Sequence, residues 1–445
     1  MLKRIGLLSL LGLVLVCLLS VGLYYLPPVH ERLAWRLESM GTRIRYALNP
    51  PGQAVFVPQG QPVANADAAS TIDAIVKATL DAVLATSTPD PPTNTPTVVG
   101  SSPTPQPSPT PTFTPTAIPD KVILSGAVHE YQKMNNCGPT TLAMGLSYWG
   151  WQGDQFVTRA YLRPNDPRVD DKNVMPAEMV AFVETQTSLK ALVRVGGDVE
   201  MLKHLVAAGF PVLIEKGFQP PKEDWMGHFE LVTGYDDARQ RFITQDSYIM
   251  ADFPLSYQDL LEHWWRDFND VYLVIYPPER EPELMAVLGP QADETYNYQY
   301  AAQKARQETE TLSGRDLFMA WYDLGTNLVA LGAYGEAANA YDNAFAVYPT
   351  IPEKDRPWRM LWYQVGPYEA YYQTGRYQDV IDLGNNTLAA LGKPVLEETF
   401  YWLGRAREAQ GDLQRAIQDY QTAYDLNPRS TPALDELKRL GVEVP

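Results

Sequence analysis

The chain has 445 residues, 45% of them apolar, which at roughly 150 residues per domain suggests about three folded units. Its 36 basic residues stand against 53 acidic ones, a formal charge of −17, so no diffuse basic surface is available for a nucleic-acid phosphate backbone. Two cysteines, Cys17 and Cys137, are too few for a disulfide framework and leave Cys137 to be explained as a lone thiol.

Residues 1–4, with Lys3 and Arg4, read as a short cytoplasmic N-terminus. Residues 5–26, IGLLSLLGLVLVCLLSVGLYYL, carry no charge and stop at Pro27 and Pro28. A helix of that length rises about 33 Å against a hydrocarbon core of about 30 Å, and Tyr24 and Tyr25 fall where interfacial aromatics belong. A cleaved secretory signal is the alternative, but its apolar run is usually about 7 to 15 residues and ends in a small-x-small site that is missing here. The expectation is therefore a single-pass signal anchor, with Cys17 packed inside it. Arg32, Arg36, Arg43 and Arg45 outnumber Lys3 and Arg4, so basic residues alone leave the orientation open.

Residues 27–88 read as a juxtamembrane segment with short helices, because Ile72, Ile75, Val76, Leu80, Val83 and Leu84 recur at helical spacing. Residues 89–120 hold eleven of the 37 prolines, interleaved with Thr and Ser. Such a stretch has too little apolar surface to fold and reads as a disordered, extended linker. Spacers of this composition lift domains off membranes, which places the rest of the chain outside the cytoplasm at the cell membrane.

Residues 121–280 combine strand-like runs with helices, the signature of an α+β domain. After Cys137, Gly138 and Pro139, the apolar residues Leu142, Ala143, Leu146 and Trp149 follow a helical period that ends at Gly150. Cys137 thus falls at a helix N-terminus, where unpaired backbone amides and the helix dipole favour a thiolate. A buried inert cysteine is the competing reading, against which stand the polar neighbours Asn135, Asn136, Thr140 and Thr141. Downstream, Phe229, Leu231 and Thr233 alternate with Glu230, Val232 and Gly234 before an Asp236-Asp237 turn, and residues 241–244 return as a partner strand. That hairpin brings His228 beside Asp246. A thiol, an imidazole and an orienting carboxylate are the parts of a nucleophile, base and orienter.

These residues resemble the papain-like cysteine peptidases, specifically the C39-like peptidase family: Gln132, the run NNCGPTT, the helix ending SYWG, the strand GHFELVTGYDD and the late Asp246. The resemblance implies a Cys137-His228-Asp246 triad, with Gln132 and the Cys137 backbone N–H donating to the tetrahedral oxyanion. The family's glutamine often stands six residues before the cysteine, whereas Gln132 stands five before it, with Asn135 and Asn136 as alternative donors. Proline commonly follows the aspartate, and here Ser247 does. No phosphate loop is present, so the ATP-driven transporter fused to related bacteriocin-processing enzymes is not expected. Five histidines without an H-E-x-x-H or cysteine-histidine cluster suggest no metal, and no cofactor is expected. His129 is a rival base out of the family's order, and His204 and His263 read as helix-surface residues. Trp225, Trp264 and Trp265 read as core or groove wall.

Residues 294–445 are self-similar. Trp321, Leu324, Gly325, Leu328, Tyr334, Ala337, Tyr341, Ala344 and Pro349 follow the tetratricopeptide (TPR) pattern, as do Phe400, Leu403, Gly404, Gly411, Ala416, Tyr420, Ala423 and Pro428. A degenerate copy lies between them, displaced by an insertion near residues 351–359. The region resembles the TPR family, which implies an all-α solenoid with a groove for a protein partner.

The whole reads as a membrane-anchored, extracytoplasmic cysteine peptidase whose repeats recruit a peptide or protein substrate, the membrane being a partner through the N-terminal helix. An acyltransferase or transamidase on the same fold, and an inactive surface binding scaffold, are the alternatives.

Overall fold

The computed structural model describes residues 56–59, 118–133, 135–163, 174–220, 224–391 and 395–444, with single positions at 22, 24, 40 and 44. The expected membrane helix of residues 5–26, the helix near residues 72–84 and the proline-rich linker up to residue 117 lie outside the described residues. Among the described residues, no helix is long and apolar enough to cross a membrane.

An antiparallel sheet of seven strands organises the first half. In chain order its elements are β1 (Lys121–Ile123), α1 (Cys137–Tyr148), α2 (Gln155–Leu162), α3 (Pro176–Gln186), β2 (Lys190–Arg194), α4 (Val199–Ala207), β3 (Val212–Phe218), β4 (Met226–Asp236), β5 (Arg241–Gln245), β6 (Phe253–Ser256), β7 (Tyr272–Tyr276) and α5 (Glu281–Leu288). The strands run in the order β2-β7-β3-β4-β5-β6, with β1 beside the far end of β4. Alternation along the central strands sends residues to opposite faces. Leu213, Phe229 and Leu231 meet Leu142, Leu146, Met179 and Phe182 from α1 and α3. Val212, Ile214 and Val232 meet Leu202, Leu205 and Val206 of α4 and Leu284 and Leu288 of α5. The sheet unit therefore continues past residue 280, because α5 completes one of its cores.

The expected hairpin forms from β4 and β5, joined by a turn at Asp237–Arg239, with a bulge between Val232 and Gly234. At the bulge β1 comes so close that a Cβ on Gly234 would lie 2.7 Å from the Val122 carbonyl oxygen.

The C-terminal part is helical: α6 (Glu294–Thr311), α7 (Gly314–Ala330), α8 (Tyr334–Val347), α9 (Gly366–Gln373), α10 (Tyr377–Ala389), α11 (Glu397–Ala409), α12 (Leu413–Leu426) and α13 (Thr431–Arg439). The pairs α7/α8, α9/α10 and α11/α12 are helical hairpins. Their small residues serve close packing: a Cβ on Gly325 would approach Tyr341 to 2.7 Å, and one on Gly404 would approach Tyr420 to 2.6 Å. Between α8 and α9 the insertion forms short turns at Glu353–Asp355 and Met360–Tyr363.

The two halves share one core, in which Val195, Trp225 and Phe268 pack with Phe318, Tyr322 and Tyr341. Polar contacts fix the junction. Asn297 bonds both the N–H and the carbonyl of Val195, at 2.9 and 2.8 Å, and Lys304 donates to the Gly197 carbonyl and pairs with Asp270. Asn269 and Asn327 exchange side-chain amide bonds of 2.7 and 3.0 Å in the buried seam.

That amide pair gives a direct test of the seam. Asn327→Leu leaves the Asn269 amide buried without its partner and should lower unfolding free energy in urea by about 1–3 kcal/mol. Replacing both asparagines with leucine should recover part of the loss, since no polar group is then orphaned.

Candidate active site

The first turn of α1 abuts the start of β4. Pro139 supplies the fixed φ of a helix start, and Gly145 lets α1 settle onto the sheet, where a Cβ would meet Leu213 at 2.9 Å. The Thr141 hydroxyl donates to the Phe229 carbonyl at 3.0 Å, which fixes the helix against the strand one residue after His228. The loop entering α1 is gathered by the buried Gln155 of α2. Its Oε1 accepts from the Lys133 N–H, Asn136 Nδ2 and the Thr140 hydroxyl, while its Nε2 donates to Glu130 and the Tyr131 carbonyl.

The half-buried Cys137 thiol is hydrogen-bonded to the His228 imidazole. Burial pushes the thiol up, but the bond and charge of His228, with the N–H groups of Phe229 and Gly138, outweigh it and leave Cys137 below the ordinary thiol range. His228 Nε2 lies 3.2 Å from Asp246 Oδ2, both residues being buried, which leaves Nδ1 as the nitrogen facing the sulfur. Burial alone lowers the imidazole. The charge and hydrogen bond of Asp246, then those of Cys137, reverse this and raise His228 to about 10. Both shifts act in the same direction, favouring thiolate and imidazolium over the neutral pair.

Asp246 follows directly on β5, and the register that pairs Leu231 with Gln245 brings it to His228. Its Oδ1 accepts from the N–H groups of Tyr248 and Ile249 at 2.7 and 2.8 Å. Burial raises this carboxyl, but His228, a hydrogen bond from Glu230 and the Ile249 N–H hold it well below the usual carboxylate range. Phe218 stacks on the His228 ring, with centroids 4.6 Å apart.

Gln132 lies beside this group. Its backbone N–H donates to the Ser247 carbonyl at 2.9 Å, and its side-chain oxygen accepts from the Ser247 hydroxyl at 2.9 Å. Ser247, standing where proline is common, thus turns the Gln132 amide so that its NH₂ remains available as a donor. Asn136 is turned instead into the Gln155 hub, and Asn135 is exposed with φ +50°. His129 packs edge-on against Tyr131, and burial lowers it. His204 is half-buried on α4, and its Nδ1 lies 2.7 Å from the Glu200 carbonyl oxygen. Trp225 and Trp265 are core residues, both buried.

Sequence reasoning missed three further groups. Glu230 is fully buried beside Asp246, with Lys216 Nζ 3.0 Å from its Oε1. Burial pushes Glu230 up, Lys216 opposes this, and Asp246 adds to it. Glu215, on β3, is raised well above the carboxylate range by burial and then by the charge of Cys137. Tyr363, from the helical insertion, lies against Gly227, where a Cβ would meet it at 2.8 Å. Beside it, Arg359 donates to the Trp225 carbonyl at 3.0 Å, and a cavity of about 510 Å³ opens between Trp225 and Trp358. Alternation could have marked Lys216 and Glu230 as neighbours of His228 had β3 been paired with β4. Nothing in the pattern signals Tyr363, whose contact is purely tertiary.

Among the described residues His228, Glu230 and Asp246 are the group whose donor atoms lie close enough to hold a metal ion. Lys216 Nζ already lies 3.0 Å from Glu230 Oε1, and His228 Nε2 lies 3.2 Å from Asp246 Oδ2, so each of the three faces an opposite charge within the protein. The arrangement is chemically that of an internally compensated nucleophile and base.

Residues 126–275 match the Peptidase_C39 like family, and residues 397–430 match the tetratricopeptide repeat. Solved structures with a significant match include a chain from Bacillus anthracis assigned as a C39-like peptidase. It is 18% identical, with the alignment covering 35% of this chain and 96% of that one at a TM-score of 0.30. No curated protein matches significantly.

The ion pair should be visible in alkylation kinetics. Cys137 should react with iodoacetamide well below pH 8, and His228→Ala should move the onset to pH 9 or above, since burial then acts on the thiol without its counter-charge.

Proposed function

We propose that residues 121–280 hydrolyse peptide bonds by cysteine catalysis on a papain-like fold, on a chain held at the extracytoplasmic face of a membrane by residues 5–26. The observation that carries this reading is the bonded series from Cys137 through His228 to Asp246 at the N-terminus of α1. The C39-like match over the same residues and the anchor-like N-terminal sequence support it.

In this mechanism the Cys137 thiolate attacks the scissile carbonyl, forming a C–S bond and an oxyanion. The Cys137 N–H and the Gln132 NH₂, oriented by Ser247, stabilise that charge. The His228 imidazolium gives its proton to the departing amine as the C–N bond breaks, leaving a thioester and neutral imidazole. Imidazole then takes a proton from water, whose oxygen displaces the thiolate and releases the carboxylic acid product. Asp246 keeps the ring oriented and stabilises its charged form. The Tyr363 wall, and the neighbouring cavity that Trp225 and Trp358 line, are where the substrate chain would run, so residues of the helical insertion would contribute to substrate choice.

Cys137→Ala should abolish cleavage of a casein or peptide-library substrate, and Gln132→Ala should reduce kcat by about 10²–10³ with little change in KM. Product formed with water rather than an added amine identifies a hydrolase over a transferase. Cleavage unchanged in Cys137→Ala, or none by the wild type under any condition tested, contradicts the reading and leaves the binding scaffold.

A further inference from the structure

We propose that residues 56–59 are a built-in ligand of the helical array, and that their docking makes the proline-rich stretch a closed loop rather than a stalk. Phe56 belongs to the juxtamembrane segment, far from the helices in sequence, yet its ring is buried among them at 6% exposure. It meets Phe345 edge-on at 5.0 Å and Tyr371 at 6.2 Å, in a pocket that Phe318, Tyr322 and Leu383 also line. Three residues on, the Gln59 backbone N–H donates to Asp379 Oδ1 at 2.8 Å and its side-chain amide to Asp382 at 3.0 Å. An aromatic anchor in a pocket plus a backbone bond to a buried carboxylate is how a groove holds an extended peptide. Val57 between them is 73% exposed, so the contact is made through Phe56 and Gln59.

The other end of the intervening chain is also fastened. The Pro119 carbonyl accepts from the Tyr235 hydroxyl at 2.6 Å, and the Asp120 carbonyl from the Asp237 N–H at 2.9 Å. Residues 60–117 therefore begin and end on the same body and add nothing to its distance from an N-terminal anchor. That distance falls to residues 27–55, about 100 Å at full extension, against about 300 Å if every residue from 27 to 117 were free. Docking requires no catalytic role for Cys137.

The test is a spin-label distance measurement in the full chain in detergent, with Cys17 and Cys137 changed to serine and labels at Val57→Cys and at Gln373→Cys on α9. A docked segment gives one short, narrow distance. A segment free to swing on about sixty residues from Ile118 gives a broad distribution of roughly 45 Å or more. Phe56→Ala, which removes the anchoring ring, should lower the docked-to-free ratio about tenfold or more, and Phe56→Leu by less. A broad distribution in the parent chain overturns the proposal, as does a narrow one that Phe56→Ala leaves unchanged.

Discussion

A sulfur atom can carry charge in a half-buried site only if something close by compensates it, and the junction of α1 with β4 supplies that compensation. The Phe229 and Gly138 amides and the His228 ring converge on Cys137, and the Thr141-Phe229 bond sets the helix and strand in the register that makes them converge. Most of the surrounding structure maintains this meeting point. The Gln155 hub fixes the loop before Cys137, and the turn after β5 aims two amides at Asp246, so that the carboxylate remains charged beside His228. Lys216 against Glu230 limits the excess negative charge that a second buried acid would otherwise bring.

The helical part is built into the sheet domain and does not hang from it. Asp267 illustrates the coupling. It accepts from the Trp225 indole at 2.7 Å and pairs with Arg315 of α7, while its backbone carbonyl accepts from Gln364 at 2.9 Å. Its carboxylate also presses so close to Gly217 that no side chain fits there. One buried acid thus joins β3, the approach to β4 and the insertion. The helical region also borders the candidate site, since Tyr363 of the insertion packs against Gly227, the residue before His228.

Much of this was legible in the residues, for reasons that are local. The apolar period after Cys137 gives α1, alternation from Phe229 gives β4, and the spacing of Gly325 and Gly404 to Tyr341 and Tyr420 gives the hairpins, because each depends on neighbours within a few turns. What was not legible depends on distant pairings. Glu230 reads as the outward polar residue of an alternating strand, yet it is buried because helices cover both faces of the sheet. Tyr363 is not marked by the repeat pattern and Phe56 reads only as part of the juxtamembrane segment, and only the folded chain brings either to its place. Ser247, which reads as a departure from the pattern the chain resembles, donates its hydroxyl to the Gln132 side chain.

The account rests on His228 being charged beside Cys137, and nitrogen NMR of the imidazole ring reports this most directly. With its signals assigned by His228→Gln, the ring should remain imidazolium through neutral pH and titrate near 10. A ring that loses its proton near 6.5, the value of an unperturbed histidine, would contradict the ion pair and the chemistry derived from it.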